Sequence, residues 1–250
     1  MRIRNLAVLA VLVAVAGAAF ALWFTGRETL DAVDIDRARE DVAAAPAAPS
    51  EPGSGVEEAV GEVAGELVDP SGTWRVDVDA VPFDAVARSG TFVGYRIDEV
   101  LQGVGDFTAV GRSPEVEGTV VIADGSVVQA EVRAGLAALT SDDARRDGRV
   151  RSLFADRPAV FTLTAPVPFD WTPEGRERVE VDAPGTLRVG AAEQDVTMRL
   201  VAEVVGGRLL VTGSTVVTLA DLDVRVPSAP IVLSVSDEAT IELQLVLARG

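Results

Sequence analysis

From Gly72 onward, apolar side chains recur at every second position in one run after another, a pattern that suits a pleated sheet with one dry face and little else. Val93, Tyr95 and Ile97 alternate with Arg96 and Asp98, and Val128, Ala130, Val132 and Leu136 oppose Gln129, Glu131 and Arg133. The same phase gives Phe161 and Leu163, Leu187 and Val189, then Val196, Met198, Leu200 and Val204. It ends with Ile241, Leu243, Leu245 and Leu247 opposite Glu242 and Gln244. Turn residues separate the runs, among them Asp124-Gly125, Pro184-Gly185 and Gly206-Gly207. Many short strands at this spacing predict an antiparallel sandwich or barrel rather than βαβ units. The one helix expected within this region is polar, Thr140 to Phe154, with Thr140 or Ser141 as N-cap, lying over the surface or mouth of the sheet.

Composition narrows the chemistry. There is no Cys and no His, which removes disulfides, thiolate and histidine metal centres, and nucleophiles that depend on either residue. No metal and no cofactor is expected. A formal charge of -17, with no basic patch interleaved with aromatics, argues against nucleic acid. Aromatics make up only 5% of the chain, so its interior is aliphatic and suits an aliphatic partner better than a stacked ring.

Ahead of the alternating region lie two segments of different character. Asn5 to Phe24 is an uncharged apolar run, preceded by Arg2 and Arg4 and trailed by Glu28, Asp31, Asp34 and Asp36. About twenty such residues cross a bilayer as a helix, and the charge asymmetry places the remainder of the chain outside the cytoplasm. Residues 1–24 are therefore read as a membrane anchor, with a cleaved signal peptide as the alternative, since Ala19-Phe20-Ala21 offers a small-x-small site. Residues 25–71 are acidic and rich in Ala, Pro and Gly, and read as a linker. Within it, Glu28 to Val42 and Glu57 to Leu67 can form weak helices, but neither carries a wide apolar stripe, so both are expected to be solvated spacer. The folded domain is placed at 72–250.

Several stretches together resemble the YceI family of lipocalin-like, polyisoprenoid-binding proteins, in the form that carries an N-terminal membrane segment. They are GTWRVD from Gly72, SGTFVGYRIDE from Ser89, AVGRSPEVEGTVVI from Ala109, LTSDDARRDGRVRS from Leu139, GSTVVTLAD from Gly213 and PSAPIVLSVSDEATIELQL from Pro227. The resemblance implies an all-β fold, an eight-stranded antiparallel barrel with one short helix, enclosing an apolar cavity for a polyisoprenoid or quinone. It also implies that Arg146, Asp147 and Arg151 tie the helix to the barrel. The sequence departs from the family pattern at the Gly190 to Val196 turn and at Leu222-Asp223.

On this reading the cavity is lined by Val93, Tyr95, Ile97, Val128, Ala130, Val132, Phe161, Leu163, Met198, Leu200, Leu243 and Leu245, with room supplied by small residues at Gly94, Ala130, Ala134 and Ala202. Tyr95 either bonds a polar head or reaches water at the rim, and Trp74 plugs one end. The Asp142 to Arg151 charges, and the group Asp221, Asp223 and Arg225, read as solvated surface clusters. The function implied is non-catalytic binding, storage or transport of a polyisoprenoid lipid or quinone outside the cytoplasmic membrane. The alternative is a tethered interaction or stress-response scaffold whose barrel is filled and takes no lipid. An enzyme has no nucleophile and base pair to name.

Overall fold

The computed structural model describes residues 30–46, 69–171, 178–226 and 231–250. The expected span, Asn5 to Phe24, and the second linker helix, Glu57 to Leu67, lie outside them. Among the described residues no helix is long and apolar enough to cross a membrane.

Twelve strands form one sheet: β1 (Gly72–Val76), β2 (Phe92–Leu101), β3 (Gly105–Ser113), β4 (Val116–Ala123), β5 (Ser126–Ala134), β6 (Ala159–Leu163), β7 (Val167–Pro168), β8 (Val179–Val189), β9 (Ala192–Val205), β10 (Arg208–Thr218), β11 (Val232–Val235) and β12 (Glu238–Arg249). Eight of them close a ring in the order β1-β4-β5-β6-β8-β9-β10-β12, with β12 returning to β1 through Trp74 opposite Arg249. The expected eight-stranded antiparallel barrel is present, and four further strands add to it. The long β12 explains how, because its second half pairs with β1 while its first half, Thr240 to Gln244, pairs with β2. β2 in turn carries β3 and β11, so at this end of the barrel β2 and β3 form the wall.

The tight connections arise from backbone chemistry. Asp124 and Gly125, and likewise Gly206 and Gly207, all have positive φ, the conformation that a two-residue hairpin needs to match the twist of its strands. β5 contains a bulge. Val121 faces Gln129 but Ile122 faces Val127, which leaves Val128 as the extra residue.

The polar helix is shorter than expected. It spans Ala144–Leu153 (α2, following α1 below), and its N-cap is Asp143, whose carboxylate accepts from the Arg145 and Arg146 amides. Thr140 cannot serve because its backbone is bridged to Arg112 on the free edge of β3. That bridge, with the short 3-10 turn Leu136–Ala138, closes the wall where no strand does and brings α2 over the barrel mouth. Residues Asp221 to Asp223 form a turn.

One linker reading is corrected. Residues 35–44 are a helix, α1 (Ile35–Ala44), docked on the outside of the barrel. Asp34 caps it, accepting from the Asp36 and Arg37 amides. Ile35, Ala38 and Val42 are buried against Leu210 and Val246, the outward residues of β10 and β12. Each of the two larger side chains contributes ~1.5–3 kcal/mol by leaving water. This stripe is narrow and partly alanine, which is why the sequence reads as solvated.

The chain just before α1 is held by charge. Arg96 donates to the Leu30 carbonyl at 2.6 Å, Arg112 to Asp31 at 2.6 Å and Arg88 to Ala32 at 2.8 Å. After the helix, Arg208 donates to the Pro46 carbonyl at 2.6 Å. Residues 30–46 are thus a strap that begins beside β2 and β12 and ends over β9 and β10.

Candidate functional site

The lumen holds two chambers stacked along β12. Ala239 and Ile241 face the upper one, whereas Leu243 and Leu245 face the lower. The upper cavity is about 410 Å³. β2 contributes Val93, Tyr95, Ile97 and Leu101 to its wall, and β8 contributes Leu187 and Val189. Its roof is built from Leu136, Leu139, Val150, Leu153 and Phe154 of the 3-10 turn and α2, together with Leu219, Leu222 and Ile231 from the connection into β11. The lower chamber is about 90 Å³ and every side chain around it is apolar, from Val120 and Ile122 on β4 to Leu209 and Val211 on β10. Phe161 and Leu136 pack against the cores of both halves and stand between the chambers.

Glycines shape this interior. Phe161 lies flat against β8 because position 185 is Gly, where a Cβ would sit 2.3 Å from the ring. Tyr95 lies across Gly111 in the same way, where a Cβ would meet the ring at 2.6 Å. At the far end Trp74 is fully buried, donates to the Pro70 carbonyl at 2.7 Å and is covered by the Arg249 guanidinium, 4.8 Å above its ring. Trp74 therefore closes the barrel floor, as the sequence reading expects.

Most of the residues read from alternation meet in these chambers. Val93, Tyr95 and Ile97 line the upper one, and Ala130, Val132, Phe161, Leu163, Met198, Leu200, Leu243 and Leu245 line the lower. Val128 does not, being 42% exposed on the outer surface. The β5 bulge is the reason, since one extra residue reverses the alternation and turns Val127 inward in its place. Gly94 is also corrected. It shares the outer face with Arg112, and a Cβ there would meet the Gly111 carbonyl at 2.6 Å, so only its backbone borders the cavity. Ala202 lines the lower chamber and Ala134 is buried in the core around it.

What the strand reading omits is the roof. The polar helix carries Val150, Leu153 and Phe154 at i, i+3 and i+4, a one-turn apolar stripe that signals this role.

Polar groups are few and gather at the mouth. Burial pushes the Tyr95 hydroxyl up to about 12, so it stays neutral, and among the described residues no protein group hydrogen-bonds to it. Glu99 is raised above the usual carboxylate range by burial, with Arg146 opposing the shift. Arg146 pairs with Asp142 at 2.9 Å and sits over the Phe107 ring at 5.6 Å, and Asp147 accepts from the Ser141 hydroxyl at 2.6 Å. Of these, only the Arg146–Phe107 contact joins α2 to a barrel strand; the Asp142 and Ser141 bonds are local to the start of the helix, so Asp147 is not the tie to the barrel that the resemblance implies. Arg151 sits in the last turn of α2. What this arrangement offers is a greasy pocket with one neutral donor and a charged rim.

The chain matches the family model described as YceI-like domain over residues 84–247. No curated protein matches it. Among solved structures, a polyisoprenoid binding domain from Saccharophagus degradans is similar at 15% identity and a TM-score of 0.48, covering 71% of this chain and 98% of that one. BcnA from Burkholderia cenocepacia is similar at 16% identity and 0.47, covering 62% and 95%. The Campylobacter jejuni YCEI protein is at 11% and 0.43, covering 54% and 82%. The family model takes in β2 through most of β12, and with them the cavity, its roof and the closing strand, so this chain belongs to the YceI-like domain family.

Proposed function

We propose that the barrel binds, stores or carries a long apolar molecule of the polyisoprenoid or quinone class, without catalysis, outside the cytoplasmic membrane to which residues 5–24 anchor it. The observation that carries this reading is the upper cavity of about 410 Å³, walled by aliphatic side chains and continuous in direction with a second, wholly apolar chamber below it. Dry aliphatic walls reward hydrocarbon. Each methylene that moves from water into them contributes ~0.8 kcal/mol, so a few isoprene units outweigh an association cost of roughly 4–15 kcal/mol. A slender tail entering under α2 reaches the lower chamber once the Phe161 ring turns aside, and its polar head stays near Tyr95 and Glu99. Chemistry on the tail has no nucleophile to begin it, for the apolar lining carries none. Membership of the YceI-like family favours the same occupant, as the sequence resemblance implies.

The test is an organic extract of the full chain purified from its own membranes, read by mass spectrometry. A prenyl-chain compound near one per protein supports the proposal, and an extract holding no apolar compound above the level of an unrelated membrane protein overturns it. Protease treatment of intact cells tests the location, since a barrel on the outer side is cut and one on the inner side is spared.

A further inference from the structure

Strap direction relates the cavity mouth to whatever precedes residue 30. Leu30 is bound by Arg96, which lies opposite Thr240 near the start of β12, at the level of the upper cavity. Val33 donates to Glu242, farther along the same strand, and α1 covers Val246. Pro46 reaches Arg208, beside the hairpin at the closed end. Traced backwards, the strap therefore runs from the floor towards the mouth and delivers the preceding chain there.

Only five residues, 25–29, separate Leu30 from the apolar run ending at Phe24, and five residues extend at most about 18 Å. The mouth also carries exposed apolar side chains. Leu233 on β11 is 65% exposed, and Val226, which lines the cavity, is 37% exposed. β11 pairs with the end of β2 at Leu101, so both residues sit on the roof side. The general charge of -17 gives no attraction to anionic headgroups, so the short tether and the exposed Leu233 and Val226 side chains, beside the charged rim, supply the contact.

We infer that the barrel docks mouth-down on the bilayer holding residues 5–24, with Leu233 and Val226 at the lipid surface and the Trp74 floor pointing away. Cavity and membrane then face each other across the rim, and an apolar tail passes between them without crossing open water. This rests on the membrane-anchored reading above and adds an orientation to it.

The chain has no Cys, so single labels are clean. Leu233→Cys, at the mouth, and Gly250→Cys, beside Thr73 at the floor, are each labelled with an environment-sensitive fluorophore in the full chain. The labelled chains are reconstituted in phosphatidylcholine vesicles containing nitroxide-labelled lipid. Quenching several-fold stronger at position 233 than at 250 is expected. Equal or reversed quenching overturns the orientation while leaving lipid binding intact. Failure of the chain to float with the vesicles overturns the anchor reading and the orientation together. A Gly/Ser insertion of about twenty residues between Gly26 and Arg27 lengthens the tether without touching the strap, and is expected to abolish most of the difference. A difference that survives the insertion overturns the role of the tether.

Discussion

Arg112 and Glu242, 130 positions apart in sequence, form a fully buried ion pair on the outer wall of the barrel, Nη2 to Oε1 at 2.8 Å and Nε to Oε1 at 2.9 Å. Their neighbours complete the hydrogen bonding. Arg112 also donates to the carbonyls of Ala85 and Asp31, and Glu242 accepts from the Val33 amide. Burial lowers the pKa of Arg112, with Glu242 opposing that shift, so the pair depends on both partners remaining in place.

Removing one partner strands the other charge in a dry site. Glu242→Ala is therefore expected to lower the unfolding free energy by roughly 3–5 kcal/mol, and the double replacement Arg112→Met with Glu242→Leu to recover much of that loss. Urea unfolding of the three proteins checks it, and equal losses in the single and double variants would contradict the explanation.

The strap is a separable layer on the barrel. Ile35→Ala removes buried side chain from beneath α1 and is expected to cost about 2–3 kcal/mol of local stability. Limited proteolysis should then cut within residues 30–46 well before the barrel itself, while the parent resists at the same protease concentration.

Tyr95 is the only tyrosine in the chain, so its ionisation can be monitored directly by ultraviolet absorbance. The midpoint is expected near 12, against the ordinary 10.0, because burial disfavours the phenolate. Below pH 10 both folded and unfolded chains hold the proton and stability is unaffected. Between 10 and about 12 only the unfolded chain loses it, so stability falls by roughly 1.4 kcal/mol per pH unit. Tyr95→Phe should abolish that slope.

Val128 and Val127 are neighbours with opposite surroundings. Val128→Thr, on the outer surface, is expected to change stability by no more than about 0.5 kcal/mol. Val127→Asp places a carboxylate in the lower chamber and should cost several-fold more. Thermal unfolding of both variants tests the bulge that separates them.

Alternation made the barrel interior legible because a strand's two faces differ in polarity wherever one is dry. It failed at Val128, where a single inserted residue reverses phase without any change in composition. It placed Glu242 and Gln244 on the outward face, where they are, but gave no sign that they are only 1% and 2% exposed. Their cover is a distant segment: Gln244 donates to the carbonyls of Arg88 and Gly90, and the strap closes over Glu242. Contacts of that range leave no periodic trace. The roof was legible only in part, because Leu222 and Ile231 reach the cavity from turns whose pattern has no period at all.

The central claim is that the upper cavity accepts a hydrocarbon tail. Ala239 lines that cavity and is buried, so Ala239→Trp fills it from the wall. Isothermal titration of geranylgeraniol into the parent and this variant is the direct measurement. Saturable binding to the parent is expected, at least tenfold weaker in a variant that remains folded by circular dichroism. Equal affinity in the two proteins, or no binding to the parent, would contradict it.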